Sequence, residues 1–211
     1  MNQTSINQFP RCGDTPLGLY PIVDSIAWLH LLLPTGVTTF QLRLKNKKDL
    51  DIETEIKLGI ALAKKFQARL FINDYWQLAI KYKAYGVHLG QENLLQADIS
   101  AIYQAGLRLG ISTHNDDEIK KALLIKPSYI ACGPVFPTTS KKMLFGPLGV
   151  PQLQHWQQTL HYPLVAIGGI NLENLSQVLA TGVNGIAMIS AITQADDPVG
   201  AAQEFLKRIE K

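Results

Sequence analysis

Eight short apolar runs, each bounded by turn residues and each followed by a longer segment with helical spacing, organise the 211-residue chain and leave few ways to fold it. The runs are Gly18–Val23, Thr38–Leu42, Arg69–Ile72, Gly86–Leu89, Arg108–Ser112, Tyr129–Cys132, Leu164–Ile167 and Gly185–Ile189. Such βα recurrence closes into a barrel or spreads into an open doubly wound sheet, and periodicity alone does not separate the two.

The segments between the runs carry helix signals. Asp51–Phe66 sets Ile52, Ile56, Gly59, Ile60 and Ala63 on one face, with Glu53 and Glu55 in the first turn, where the helix dipole favours negative charge. A helix over Leu172–Ala180 is expected with Asn171 as N-cap and Gly182 just past its end; the last helix opens with Asp197 as cap and Pro198 at its first position. No linker, low-complexity stretch or fixed-period repeat divides the chain, so one domain is expected. Residues 1–16 are polar, hold Pro10, Gly13 and Pro16, and read as a loose tail ahead of a barrel over 17–211.

Composition narrows the class. With 46% hydrophobic and 18% charged residues the chain has an ordinary globular core supply, which excludes a disordered or fibrous protein. A net charge of +3 without basic or aromatic clusters gives no reason to expect nucleic acid or an anionic membrane as partner, and suits anionic metabolites. Cys12 and Cys132 lack metal-type spacing, no signal peptide pattern is present, and no apolar run reaches the roughly 18 residues of a membrane span. A soluble, cytoplasmic protein is therefore expected, with homo-oligomerisation left open.

Polar residues gather at the C-terminal ends of the runs, where α/β barrels keep their chemistry. In Gln41-Leu42-Arg43-Leu44-Lys45, period-2 alternation sends Gln41, Arg43 and Lys45 to one face. Asn73-Asp74 ends the third run; a helix N-cap explains Asp74 as well as catalysis does. His88 lies between apolar neighbours and reads as a hydrogen-bonded structural histidine, while His114 reads as part of a helix start. After the sixth run, Thr138, Thr139 and Ser140 beside Lys141 offer hydroxyl donors and a mobile charge suited to phosphate, although a solvated loop has the same composition. Gly168-Gly169 after the seventh run and Ile189-Ser190 after the eighth stand where barrels commonly bind phosphate, and this favours the barrel over the open sheet.

Taken in order, Gln41-x-Arg43-x-Lys45, Asn73-Asp74, Gly86-Val87-His88-Leu89-Gly90-Gln91, Gly133-Pro134-Val135-Phe136-Pro137-Thr138 and Ala166-Ile167-Gly168-Gly169-Ile170 resemble the thiamine phosphate synthase family over nearly the whole chain after Gly18. The resemblance implies a single-domain (β/α)8 TIM barrel. It also implies a transferase joining 4-amino-5-hydroxymethyl-2-methylpyrimidine diphosphate to 4-methyl-5-(2-phosphonooxyethyl)thiazole, by departure of diphosphate and capture of the pyrimidine carbocation, with magnesium as cofactor. By matching positions, Gln41, Arg43, Lys45, Asn73, Ser112 and Lys141 would serve the pyrimidine diphosphate, with Arg43, Lys45, Ser112 and Lys141 acting on the leaving group. Thr138, Thr139, Ser140, Gly168, Ile189 and Ser190 would hold the thiazole phosphate, and Asp74 and Asn93 the metal.

Two positions depart from the family pattern. Ser140 replaces a threonine and keeps the hydroxyl. Asn93 stands where the family has its second magnesium-binding aspartate, which removes a charge but leaves a carbonyl oxygen that magnesium accepts. A weakened metal site with retained activity is expected. The competing readings are a thiazole tautomerase-like paralogue, which needs a well-placed base rather than a diphosphate grip, and a non-catalytic binder of thiamine precursors.

Overall fold

The computed structural model describes residues 8–45, 49–138 and 146–210. Eight strands, β1 (Gly18–Val23), β2 (Thr39–Leu42), β3 (Arg69–Asn73), β4 (Gly86–Leu89), β5 (Arg108–Thr113), β6 (Tyr129–Cys132), β7 (Leu164–Ile167) and β8 (Gly185–Met188), pair in parallel in sequence order. β8 returns to β1 with Leu19 opposite Ile186, which closes the barrel. The chain is a single-domain (β/α)8 barrel, as expected.

Each strand divides its residues between two cores, because alternate side chains point to opposite faces. Outward residues such as Leu42, Val87, Ile111 and Ile130 pack with helical Leu29, Ile56, Ile119 and Trp156 in the larger core between barrel and helices. Inward Leu17, Tyr20, Ile22, Phe71, Tyr129, Ala131, Val165 and Ala187 form the smaller one inside the barrel. There Phe71 lies edge-on to Tyr129 with ring centroids 5.2 Å apart, and Tyr20 meets both rings. The neighbouring strand makes room for this: a Cβ on Gly110 would sit 2.1 Å from the Tyr129 ring. The aromatic layer fills the barrel interior beneath the C-terminal strand ends.

Helix starts follow their capping residues. Asp197 accepts from the Gly200 amide at 3.0 Å and Pro198 opens the helix Pro198–Ile209, as expected. The helix expected over Leu172–Ala180 is confined to Leu175–Leu179, and Asn171 instead caps the preceding turn by accepting from the Glu173 and Asn174 amides.

The reading of residues 1–16 as a loose tail is corrected for the described part, 8–16. Phe9 is buried, lies edge-on to Tyr103 at 5.4 Å, and donates its amide to the Lys126 carbonyl. Arg69 donates to the carbonyls of Cys12, Thr15 and Pro16, and Arg108 to that of Arg11. The cause is geometric: two arginines point inward at the N-terminal ends of β3 and β5, and the segment's carbonyls supply acceptors that a barrel interior lacks. One phenylalanine in a polar stretch was too small a signal to reveal the anchorage.

Among the described residues, no helix is long and apolar enough to cross a membrane.

Candidate active site

Above the aromatic layer the C-terminal strand ends enclose a cavity of about 440 Å³, within the range typical of small-molecule sites. Every described residue singled out from the sequence lines it. Gln41, Arg43 and Lys45 enter from β2 and its extension, as the alternation predicts. Asn73 and Asp74 come from β3, Asn93 from the segment after β4, and Ser112 from β5. Thr138, Gly168, Ile189 and Ser190 complete the opposite wall. Thr139, Ser140 and Lys141 lie outside the described residues. A second cavity, about 520 Å³, adjoins the first and shares Lys45, Asn73, Asp74 and Asn93 with it.

Strand geometry explains the convergence. Arg43 continues β2 by donating its amide to the Val23 carbonyl at 2.8 Å, which keeps the inward parity for one more residue. Its guanidinium is half-buried. Burial lowers its pKa from the ordinary value, while the neighbouring Asp74 carboxylate opposes that shift. A guanidinium remains charged at neutral pH all the same, so the cavity holds a partly desolvated cation, whose field acts more strongly than one in bulk water.

Asp74 takes a left-handed backbone with φ 65°. The conformation turns its carboxylate back over the strand ends, where Oδ2 accepts from the Asn73 side chain at 2.6 Å and Oδ1 from the Gly90 amide at 3.5 Å. The helix that follows, Trp76–Lys81, has no side-chain cap. Helix capping, the bland alternative for Asp74, is thereby set aside: the carboxylate faces the cavity.

Gly168 and Gly169 have φ 100° and 66°, and a Cβ on either would lie within 2.6 Å of the loop after β6. That loop is hydrogen-bonded onto β7, Val135 donating to the Ile167 carbonyl and Phe136 to that of Gly168. The glycine pair therefore brings two strand-end loops into contact, and the same approach sets Thr138 and Gly168 on one wall.

His88 is hydrogen-bonded through both ring nitrogens, as a structural histidine would be, yet one of its partners is Ser112 Oγ, at 2.8 Å. Gln91 holds the same strand end by donating to the Ser112 carbonyl at 2.6 Å. His114 stands at a helix start, where Glu118 Oε2 accepts from its backbone amide. What the sequence reading missed is the pair Tyr20 and Tyr129, whose hydroxyls meet at 2.8 Å beneath the cavity. The inward parity of Tyr129, opposite Gly110 on the neighbouring strand, was a usable signal.

A family model described as thiamine monophosphate synthase matches residues 19–192. The chain belongs to that family. It is 59% identical over 191 residues to the thiamine-phosphate synthase of Klebsiella pneumoniae subsp. pneumoniae, covering 90% of each chain. It is 54% identical to that of Proteus mirabilis over 211 residues, covering all of this chain and 98% of the other. The thiamine phosphate pyrophosphorylase from Pyrococcus furiosus superposes with a TM-score of 0.82 at 32% identity, covering 92% of this chain and 96% of the other. A 3-hexulose-6-phosphate synthase, with a TM-score of 0.66 at 17% identity, shares the fold.

Proposed function

We propose that the chain forms thiamine phosphate and diphosphate from 4-amino-5-hydroxymethyl-2-methylpyrimidine diphosphate and 4-methyl-5-(2-phosphonooxyethyl)thiazole. The observation that carries this reading is the convergence of Gln41, Arg43, Asn73 and Ser112, from three separate strands or their ends, on one cavity of a chain that belongs to this family.

The chemistry asks little covalent work of the protein. The bond between the pyrimidine methylene carbon and the diphosphate oxygen breaks, with its electron pair leaving on diphosphate. The thiazole nitrogen then gives its lone pair to the carbocation. Charge accumulates on the departing oxygens, so fixed positive charge and hydrogen-bond donors near them lower the barrier. Arg43 grips two oxygens at once, Lys45 adds a point charge, and Asn73 and Ser112 donate. Thr138, Gly168, Ile189 and Ser190 hold the thiazole phosphate on the facing wall; of the residues outside the described ones, Thr139 and Ser140 are assigned to the same phosphate and Lys141 to the leaving diphosphate.

Magnesium fits the donor set. It takes oxygen ligands, keeps several waters, and commonly binds through one or two protein carboxylates together with substrate phosphates. Asp74 supplies a carboxylate and Asn93 an amide oxygen on the wall shared by the two cavities. Bound there, the ion would neutralise diphosphate charge, with the substrate completing its coordination.

The test is formation of thiamine phosphate from both purified substrates, with diphosphate release followed in parallel while magnesium is titrated. Product and diphosphate in equal amounts are expected. Binding of both substrates with no product at any magnesium concentration would overturn the synthase reading in favour of a precursor binder or a tautomerase.

A further inference from the structure

A file of hydrogen bonds threads the barrel interior from β2 to β5. Gln41 Nε2 lies 3.4 Å from Tyr20 Oη, which is 2.8 Å from Tyr129 Oη. Tyr129 Oη is 2.8 Å from His88 Nδ1, and His88 Nε2 is 2.8 Å from Ser112 Oγ. Gln41, Tyr20, Tyr129 and His88 are all buried, with 5% or less of their surface exposed.

Proton counting gives the file a direction. An amide nitrogen donates and has no lone pair to accept with, so Tyr20 Oη accepts from Gln41. Among the described residues, Tyr20 Oη bonds to Gln41 Nε2 and Tyr129 Oη. Were Tyr129 to donate to it as well, the Tyr20 proton would be buried without an acceptor, a rare and costly state. Tyr20 therefore donates to Tyr129, and Tyr129, its own proton still to place, donates to His88 Nδ1. Burial pushes both phenols well above their ordinary pKa, so both keep their protons at neutral pH. A ring nitrogen that accepts carries no proton. His88 is then the neutral Nε2–H tautomer and donates to Ser112 Oγ.

We propose that Tyr20, Tyr129 and His88 are positioning residues that fix Ser112 as a hydrogen-bond donor into the cavity, aimed at the departing phosphate group. The donor role rests on the synthase reading above. A serine 2.8 Å from a histidine nitrogen resembles a nucleophile and its base. The direction of the file reverses that relation: His88 donates a hydrogen bond to Ser112 Oγ instead of accepting one, so the serine hydroxyl proton is left to point at substrate. A donor is what a dissociating diphosphate needs, and a nucleophile is not.

The first measurement is the ¹⁵N spectrum of the histidine-labelled full chain, with the His88 signals assigned by their loss in His88→Gln. The proposal expects an unprotonated Nδ1 and a protonated Nε2; a protonated Nδ1 would overturn it. This readout needs no turnover, so it stands apart from failure of the synthase reading, which absence of product from the wild-type chain would show. The second measurement is kinetic. Tyr129→Phe keeps the ring and removes the donor, and kcat should fall roughly tenfold, less than the 10²–10³ typical of deleting a direct donor, with KM for the pyrimidine diphosphate nearly unchanged. Adding Ser112→Ala to Tyr129→Phe should cost less than the single Ser112→Ala change does, because the two act through one hydroxyl. His88→Gln keeps a donor near the Nε2 position and should recover most of the kcat that His88→Leu loses. A folded Tyr129→Phe chain with wild-type kcat, or equal losses for His88→Gln and His88→Leu, would overturn the positioning role.

Discussion

The Asn73 side-chain amide donates to the carboxylate of its neighbour Asp74 across 2.6 Å, at a residue whose backbone lies in the left-handed region at φ 65°. A non-glycine residue in that region is uncommon and persists where its surroundings hold it. Here the hold comes from Asn73 and from the Gly90 amide, and together they present one carboxylate to the cavity wall that also carries Asn93.

A metal site with one carboxylate should bind magnesium weakly, and its affinity should follow ligand charge. Asn93→Asp is expected to lower the magnesium concentration for half-maximal activity, and Asp74→Asn to raise it at least tenfold, about 1.4 kcal/mol. Titration of the chain with Mn²⁺ followed by electron paramagnetic resonance gives the same ranking without turnover. Unchanged binding in Asn93→Asp would show that position 93 does not ligate the ion.

Arg43 is expected to act through its two-pronged guanidinium and not through charge alone. Arg43→Lys keeps the charge but gives up a fork of donors, and charge-assisted hydrogen bonds contribute about 1.5–3 kcal/mol each. The expected result is a KM for the pyrimidine diphosphate raised by roughly tenfold or more, with KM for the thiazole phosphate little changed. A rise confined to the thiazole phosphate would assign Arg43 to the other substrate.

Gly169→Ala should damage both stability and the cavity wall. The new Cβ would lie 2.4 Å from the Pro137 carbonyl oxygen at a backbone φ of 66°, so the loop after β6 has to move. Overpacking of this kind costs roughly 1–3 kcal/mol, readable as a lower urea midpoint. Because Thr138 sits on the displaced loop, KM for the thiazole phosphate should rise more than that for the diphosphate. Wild-type stability and kinetics would mean that the loop yields freely.

Alkaline pH should unfold the barrel through buried acids. Burial raises the Cys132 thiol from 9.0 to about 12, and raises the Tyr20 and Tyr129 phenols as well. These groups keep their protons when folded and lose them at lower pH when unfolded, so the unfolded chain binds fewer protons above pH 9. The stability that Cys132 contributes is complete below pH 9 and is lost as pH rises from there to about 12, at about 1.4 kcal/mol per pH unit. Urea midpoints should fall steadily over that window, and Cys132→Ala should make the fall shallower. A flat profile would contradict the buried thiol as its source.

The amino-acid sequence by itself determined the architecture and pointed to candidate residues that line one cavity. Eight apolar runs at strand length predict the eight strands to within a residue or so at each end, because strand formation, capping by Asp197 and Pro198, and inward parity at Gln41, Arg43 and Lys45 are local consequences of residue type and spacing. Tertiary structure alone decided what depends on contacts between distant segments. It tied residues 8–16 to Arg69 and Arg108, turned Asp74 from a candidate helix cap toward the cavity, and fitted Gly168 and Gly169 against the loop after β6. It also joined Tyr20, Tyr129, His88 and Ser112, drawn from four strands, into one file. Such links are invisible to periodicity, because a hydrogen bond across a barrel joins residues as far apart as Tyr20 and Tyr129 only once the closing of β8 onto β1 has brought their strands around a common axis.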